Sequence, residues 1–206
     1  MDIEKYLDKK VINKKVLEIG GIGNYEKYVL DNFEGWRHKR LKGIAKSLRG
    51  GDINVKGIEV VNQNGFSYFY FDAEKTDMIA DIGKFDTILL IDVIEHLNNI
   101  GLALENIKKY MSSDSEFIIS TPNITSFNNI VRVLLGKKVN TLEDHTVWMD
   151  ENNFHQFAKR YGFKIIEIHY CTFNPKSGLR QSIINFMGNI NKYFHQNFIV
   201  VLKILE

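Results

Sequence analysis

The sequence predicts an α/β fold, a mostly parallel sheet with helices packed on both of its faces. Two patterns carry this reading. Short unbroken apolar runs recur along the chain, as expected of strands buried on both sides, and segments of helical apolar spacing separate them. The composition agrees: 206 residues, 44% hydrophobic and 25% charged, suffice for one well-packed core and are too few for two. We therefore read residues 1–206 as a single domain, divided near residue 112 into two functional halves.

The first strand is expected at 15–19 and ends in a glycine-rich turn, Gly20-Gly21-Ile22-Gly23-Asn24, before a helix that begins around Tyr25. A weaker strand at 46–51 ends in Gly50-Gly51-Asp52, and others follow at 66–71 and 87–91. Ile100, Ala103, Leu104, Ile107 and Met111 then form one stripe on a helix starting near Asn98. A strand at 116–120 leads to a second stripe, Phe127, Ile130, Val131, Leu134 and Leu135. A third helix takes Asp150 as N-cap, buries Phe154, Phe157, Ala158 and Tyr161, and stops at Gly162. The last strands, 163–170 and 198–205, are joined by an insertion with its own helical pattern at Ile183, Ile184, Met187 and Phe194.

Several function classes are disfavoured. The net charge is +2 and Lys and Arg are spread along the chain, so no basic face points to nucleic acid. The longest apolar runs fall far short of the roughly 20 residues that span a bilayer. The lone Cys171 has no partner for an intrachain disulfide, and no signal-peptide pattern opens the chain, which implies a cytoplasmic setting.

In open α/β sheets the ligand lies beyond the carboxyl ends of the strands, so the residues that follow each strand matter most. The turn after the first strand lacks the Gly-Lys-Ser/Thr of a P-loop, and a dinucleotide fingerprint read from Gly21 would need glycine where Glu26 stands. Glu18, in the same segment, is a poor neighbour for pyrophosphate and a good one for an ammonium or sulfonium charge. Asp52, Asp72 and Asp92 each follow a later strand. Carboxylates there suit a nucleoside, because one can accept from both ribose hydroxyls and another from an adenine amino group. Glu59, in the apolar run Gly57-Ile58-Glu59-Val60, is a rival ribose ligand if that run is the second strand; Asp52 is preferred.

Taken together, Val16-Leu17-Glu18-Ile19-Gly20, Phe71-Asp72-Ala73-Glu74, Asp92-Val93-Ile94-Glu95-His96-Leu97 and Ser120-Thr121-Pro122-Asn123 resemble the class I S-adenosylmethionine-dependent methyltransferases. Small bacterial and archaeal members are the nearer likeness, with segments similar to Trp36-Arg37-His38 and His145-Thr146-Val147-Trp148. The resemblance covers roughly residues 15–170. It implies a Rossmann-like, mostly parallel seven-stranded sheet whose last strand is antiparallel, with S-adenosylmethionine as methyl donor. It also implies that Glu18 and the turn of Gly20, Gly21 and Gly23 face the methionine moiety, Asp52 the ribose and Asp72 the adenine. Ala73 would offer its amide to the ring, and Asp92 would close the site beside the sulfonium. Ile22 and Asn24 depart from the family turn, where glycines are usual.

Methyl transfer requires positioning and removal of the acceptor's proton. A histidine is the natural base for a hydroxyl on a small-molecule acceptor, and His96 and His145 are both candidates. The alternative readings are His96 as a cap of the helix near Asn98 and His145 as a loop residue flanked by Glu143 and Asp144. No metal site is expected, because adjacent residues such as Glu143, Asp144 and His145 rarely converge and no second histidine is suitably spaced in the chain. Trp148, Phe127 and Tyr170 are candidates for lining the acceptor pocket, built from residues 121–148 and 171–197. A nicotinamide oxidoreductase is disfavoured by the missing third glycine and the absence of a Tyr-x-x-x-Lys pair, and a non-catalytic donor-binding module is the other reading.

Overall fold

The computed structural model describes residues 2–76, 81–171 and 178–205. Its seven strands are β1 (Lys15–Ile19), β2 (Ser47–Asp52), β3 (Tyr68–Tyr70), β4 (Phe85–Ile91), β5 (Met111–Pro122), β6 (Phe163–Cys171) and β7 (Asn197–Ile204). They form one sheet in the order β3-β2-β1-β4-β5-β7-β6. All neighbouring pairs from β3 to β5 are parallel, and β7 runs antiparallel to both β5 and β6. This is the predicted doubly wound plan, with the order reversing between β1 and β4, where such sheets hold their ligands.

Period-2 alternation sends successive residues to opposite faces. Leu17, Ile88, Leu90, Phe117, Ile119, Val200 and Leu202 enter one cluster, which is closed by α5 (Ile100–Lys108) and α7 (Glu151–Tyr161). Val16, Leu89, Ile118, Ile199 and Val201 enter the other, closed by α1 (Ile3–Val11) and by Leu41 of α3 (Arg37–Lys42). In α1 the buried residues are Ile3, Leu7 and Val11, one per turn, and the Asp2 side chain accepts from the Glu4 and Lys5 amides at its start. A third cluster, Ile22, Phe33, Trp36, Val61 and Tyr68, supports the glycine-rich turn from below.

The capping signals read from sequence hold for α7: Asp150 and Asn153 form a reciprocal capping box, and Gly162 ends the helix with φ +68°. Other expectations need correction. Met111 does not continue the α5 stripe; the helix ends at Lys108 and Met111 opens β5, whose polar stretch Ser112 to Ser115 hid the strand. The run at 57–60 is no strand. It belongs to α4 (Val55–Gln63), started by Asn54, whose side chain accepts from the Gly57 amide, so Glu59 lies exposed on a helix and Asp52 ends β2. The stripe of α6 (Phe127–Leu134) is not a sheet-facing one. Leu134 and Leu135 are exposed, and Phe127 and Val131 line a shallow groove with Leu179, Ile183 and Ile184 of α8 (Gly178–Ile190). Phe194 falls outside α8, in a short 3-10 turn. Among the described residues no helix is long and apolar enough to cross a membrane.

Candidate active site

The glycine-rich turn leaves β1 and is tied at once to β2, where the Gly20 amide donates to the Gly51 carbonyl at 2.9 Å. Gly20 has φ +74°, and a Cβ there would lie 2.4 Å from Val93 Cγ2, so the turn presses directly on the residue after Asp92. Gly23 also has positive φ, and a Cβ there would meet nothing within 4 Å, which leaves the outer side of the turn open. At the end of β2, beside this turn, sits Asp52, buried. It accepts from the Ile22 amide at 3.2 Å through Oδ2 and from the Asn54 amide at 2.9 Å through Oδ1. Each carboxylate oxygen keeps lone pairs for a further donor such as a ribose hydroxyl. Asp72 accepts from the Glu74 amide and pairs with Lys75 at 3.3 Å, and buried Ala73 is held through its carbonyl by Asn106 Nδ2 at 2.8 Å.

Glu18 behaves differently from the other acids. It is 2% exposed and turned into the third cluster, where Oε2 lies 2.6 Å from His38 Nδ1 and accepts from the Tyr68 hydroxyl at 3.1 Å. Burial is the largest influence and raises its pKa, but the His38 contact, the Arg37 charge and the Tyr68 hydroxyl together outweigh it and keep the carboxyl below its ordinary value. His38 is fully buried, stacked against Trp36, whose indole donates to the Gly21 carbonyl at 2.8 Å. The Trp-Arg-His segment therefore braces the turn from inside the fold.

Asp92 follows β4 and is tied to both β5 and β7. Its φ of +55° turns the chain sharply after β4. Oδ1 accepts from Ser120 Oγ of β5 at 2.7 Å and from Asn197 Nδ2 of β7 at 3.3 Å, while its amide donates to the Ser120 carbonyl at 3.1 Å. Beyond it, Ile94 to His96 form a single 3-10 turn, and the N-cap of α5 is Asn99, which rules out the capping reading of His96.

The segment His145 to Trp148 is pinned onto this turn. The Thr146 amide donates to the Glu95 carbonyl at 2.9 Å, and the Thr146 hydroxyl reaches the Glu95 and Leu97 carbonyls at 3.2 and 2.9 Å. The pinning brings the imidazoles of His96 and His145 edge to face, with centroids 4.7 Å apart, and places Asp144 Oδ2 3.2 Å from His96 Nδ1. Both rings line a cavity of about 330 Å³ with Asp92, Glu95, Asn129 and Trp148. Burial, and next the neighbouring His96, lower the pKa of His145.

Sequence reasoning missed Glu95. It was read only as part of a motif, yet it is 1% exposed, held at Oε2 by the Thr121 hydroxyl at 3.2 Å. Burial and the nearby Asp92 push it up to about 8. The available signal was an acid set between apolar Ile94 and a histidine within a buried run. Of the aromatic candidates, Trp148 lines the cavity; Phe127 lines the α6–α8 groove, and Tyr170 stacks on Phe198. The first of the two expected acceptor segments supplies the cavity wall, through residues such as Asn123, Asn129 and Asn140. Part of the second, residues 172–177, lies outside the described residues.

Comparison with known proteins bears on the family and the fold. A family model described as a methyltransferase domain matches residues 2–168. Ubiquinone biosynthesis O-methyltransferase of Pelagibacter ubique (strain HTCC1062) is 29% identical over 122 residues, 57% of this chain and 46% of that protein, so the chain spans about half the length of that curated relative. Among solved structures, a SAM-dependent methyltransferase from Archaeoglobus fulgidus superposes with a TM-score of 0.60 at 17% identity, covering 98% of this chain and 90% of the other. The N-methyltransferase NodS from Bradyrhizobium japonicum WM9, solved with S-adenosyl-L-homocysteine, gives 0.55 at 12% identity, covering 99% and 84%.

Proposed function

The chain belongs to the methyltransferase-domain family, and from that premise we propose that it transfers the methyl group of S-adenosylmethionine to a hydroxyl of a small-molecule acceptor. The donor fits the residues present. Gly20, Gly21 and Gly23 form a turn with one open side, and buried Asp52 stands at the end of β2 with unused acceptor capacity. The donor brings an activated methyl carbon, so the protein's task is to align an oxygen with it and help that oxygen lose its proton.

The observation that carries the reading is the junction at Asp92. The donor-side turn touches Val93 on one side, and the cavity with His96 and His145 opens beside Asp92 on the other, an arrangement that supports binding of an acceptor next to the donor's sulfonium. His145, its pKa lowered, is uncharged near neutral pH and suited to accept the hydroxyl's proton. An oxygen acceptor is further supported by the similarity to the Pelagibacter O-methyltransferase.

The test is a thermal-shift titration with S-adenosylmethionine, S-adenosylhomocysteine and NAD. At about 100 times Kd, linkage gives about 2.7 kcal/mol, a rise of roughly 5–10 °C. The adenosyl ligands should produce it in the wild type and in His145→Ala, and fail to do so in Asp52→Ala. A rise with NAD alone would refute the reading. Once an acceptor is identified by screening hydroxylated compounds, His145→Ala should lower kcat by roughly 100-fold or more.

A further inference from the structure

Glu95, His96 and His145 stand together in a way that a proton-accepting histidine does not require. Each offers a ligand atom, and the three atoms lie within 4.8 Å of one another. The carboxylate is positioned with care: Thr121 holds Oε2, while Oε1 is buried with no hydrogen-bond partner among the described residues. A buried acceptor left unpaired costs roughly 1–3 kcal/mol and calls for an explanation. Glu95 itself lines the cavity together with both histidines.

We propose that Glu95, His96 and His145 bind one divalent cation of the zinc or manganese class, leaving coordination positions open to an oxygen of the acceptor. Two imidazoles and one carboxylate are the donor set that suits such ions, and three protein ligands are the usual number where a position is kept open for chemistry. Ligand atoms around an ion at about 2.1 Å stand roughly 3–3.5 Å apart, so modest side-chain rotation closes the site. Asp144, beside the His96 ring, supplies the carboxylate that commonly orients a ligand histidine, and Asp92 adds negative charge to the same cavity. The sequence argument against a metal weighed the adjacency of Glu143, Asp144 and His145 and the spacing of histidines along the chain; the Thr146 hydrogen bonds bring His145 to His96 across 49 residues.

The inference rests on the cavity being the acceptor pocket, and it changes how the proton leaves. An acceptor hydroxyl bound to the cation ionises more easily: its O–H bond breaks and the proton passes to water at the cavity mouth. The oxygen then bonds to the donor's methyl carbon while the carbon–sulfur bond breaks, its electron pair remaining on sulfur. His96 and His145 hold the ion in this state, so the same substitutions that remove a base remove a ligand.

The experiment is calorimetric titration of the tag-free, EDTA-treated full chain with zinc chloride and with manganese chloride, paired with S-adenosylhomocysteine titration of the same samples. One ion per chain is expected, with affinity reduced at least 10-fold in Glu95→Gln and in His96→Ala, while S-adenosylhomocysteine affinity stays within 2-fold and certifies the fold of each variant. No stoichiometric uptake of either ion, or uptake unchanged in Glu95→Gln, overturns the metal site and leaves the imidazole as base. Failure of S-adenosylhomocysteine to bind the wild type overturns the methyltransferase reading instead, whatever the ion does.

Discussion

At the level of single residues, the buried contact between Glu18 and His38 is the most consequential pairing beneath the donor turn. Both side chains are almost wholly inaccessible and Tyr68 completes their contacts, with its hydroxyl 3.0 Å from His38 Nδ1. Removing one member of such a group strands the others without solvent, so His38→Ala should destabilise the protein by about 3–5 kcal/mol, measured by urea denaturation. The surface behaves otherwise. Glu167 accepts from Lys10 at 2.6 Å and from the Tyr6 hydroxyl at 2.7 Å, and these contacts overcome the effect of burial to lower its pKa to about 2. A carboxyl depressed in the folded state stabilises it above the unfolded value and loses that contribution as pH falls towards the folded one. The wild type should therefore exceed Glu167→Gln by roughly 1–2 kcal/mol at pH 7, allowing for screening at a partly exposed site, and the gap should close between about pH 4.5 and 2. A gap that persists at the acid end would assign the effect to packing.

Among the elements, the short segment from His145 to Trp148 depends on few contacts. It has no helix or strand of its own and is anchored by Thr146 to the turn that follows β4. Thr146→Val keeps the shape and deletes both hydroxyl bonds, at a cost near 1 kcal/mol. Amide exchange at His145 and Thr146 should then quicken at least several-fold while β4 and β5 keep their protection. Equal acceleration in the strands would mean the hydroxyl stabilises the whole fold and not the segment. The β-strands themselves owe their order to alternation: from Phe117 to Ile119 the side chains enter the two clusters in turn, so neither face depends on a single helix.

For the molecule as a whole, much of the architecture was legible because parallel strands buried on both faces read as unbroken apolar runs, and β1, β4 and β7 emerged within a residue or two. The acids after the strands were legible for the same reason: once a strand's end is known, the following residue lies at the ligand edge. What stayed hidden had local causes. The run around Ile58 is short enough for strand or helix, and the Asn54 cap that decides it lies outside the run. The stripe of α6 is amphipathic, yet periodicity cannot say whether an apolar face meets the sheet or another helix. The meeting of Glu95 and His96 with His145 is a long-range contact, made by hydrogen bonds from Thr146 to backbone carbonyls, and no spacing rule encodes it.

The contact of Gly20 with Val93 has a practical corollary for enzymology. A methyl added at Gly20 strikes Val93, next to Asp92 of the cavity, so under the proposed reading a substitution there aimed at the donor also disturbs the acceptor side. Steady-state constants for donor and acceptor should then shift together in Gly20 variants. Under the proposed reading, Asp52 beside the glycine-rich turn and Asn140 in the cavity wall are the positions that probe donor and acceptor separately.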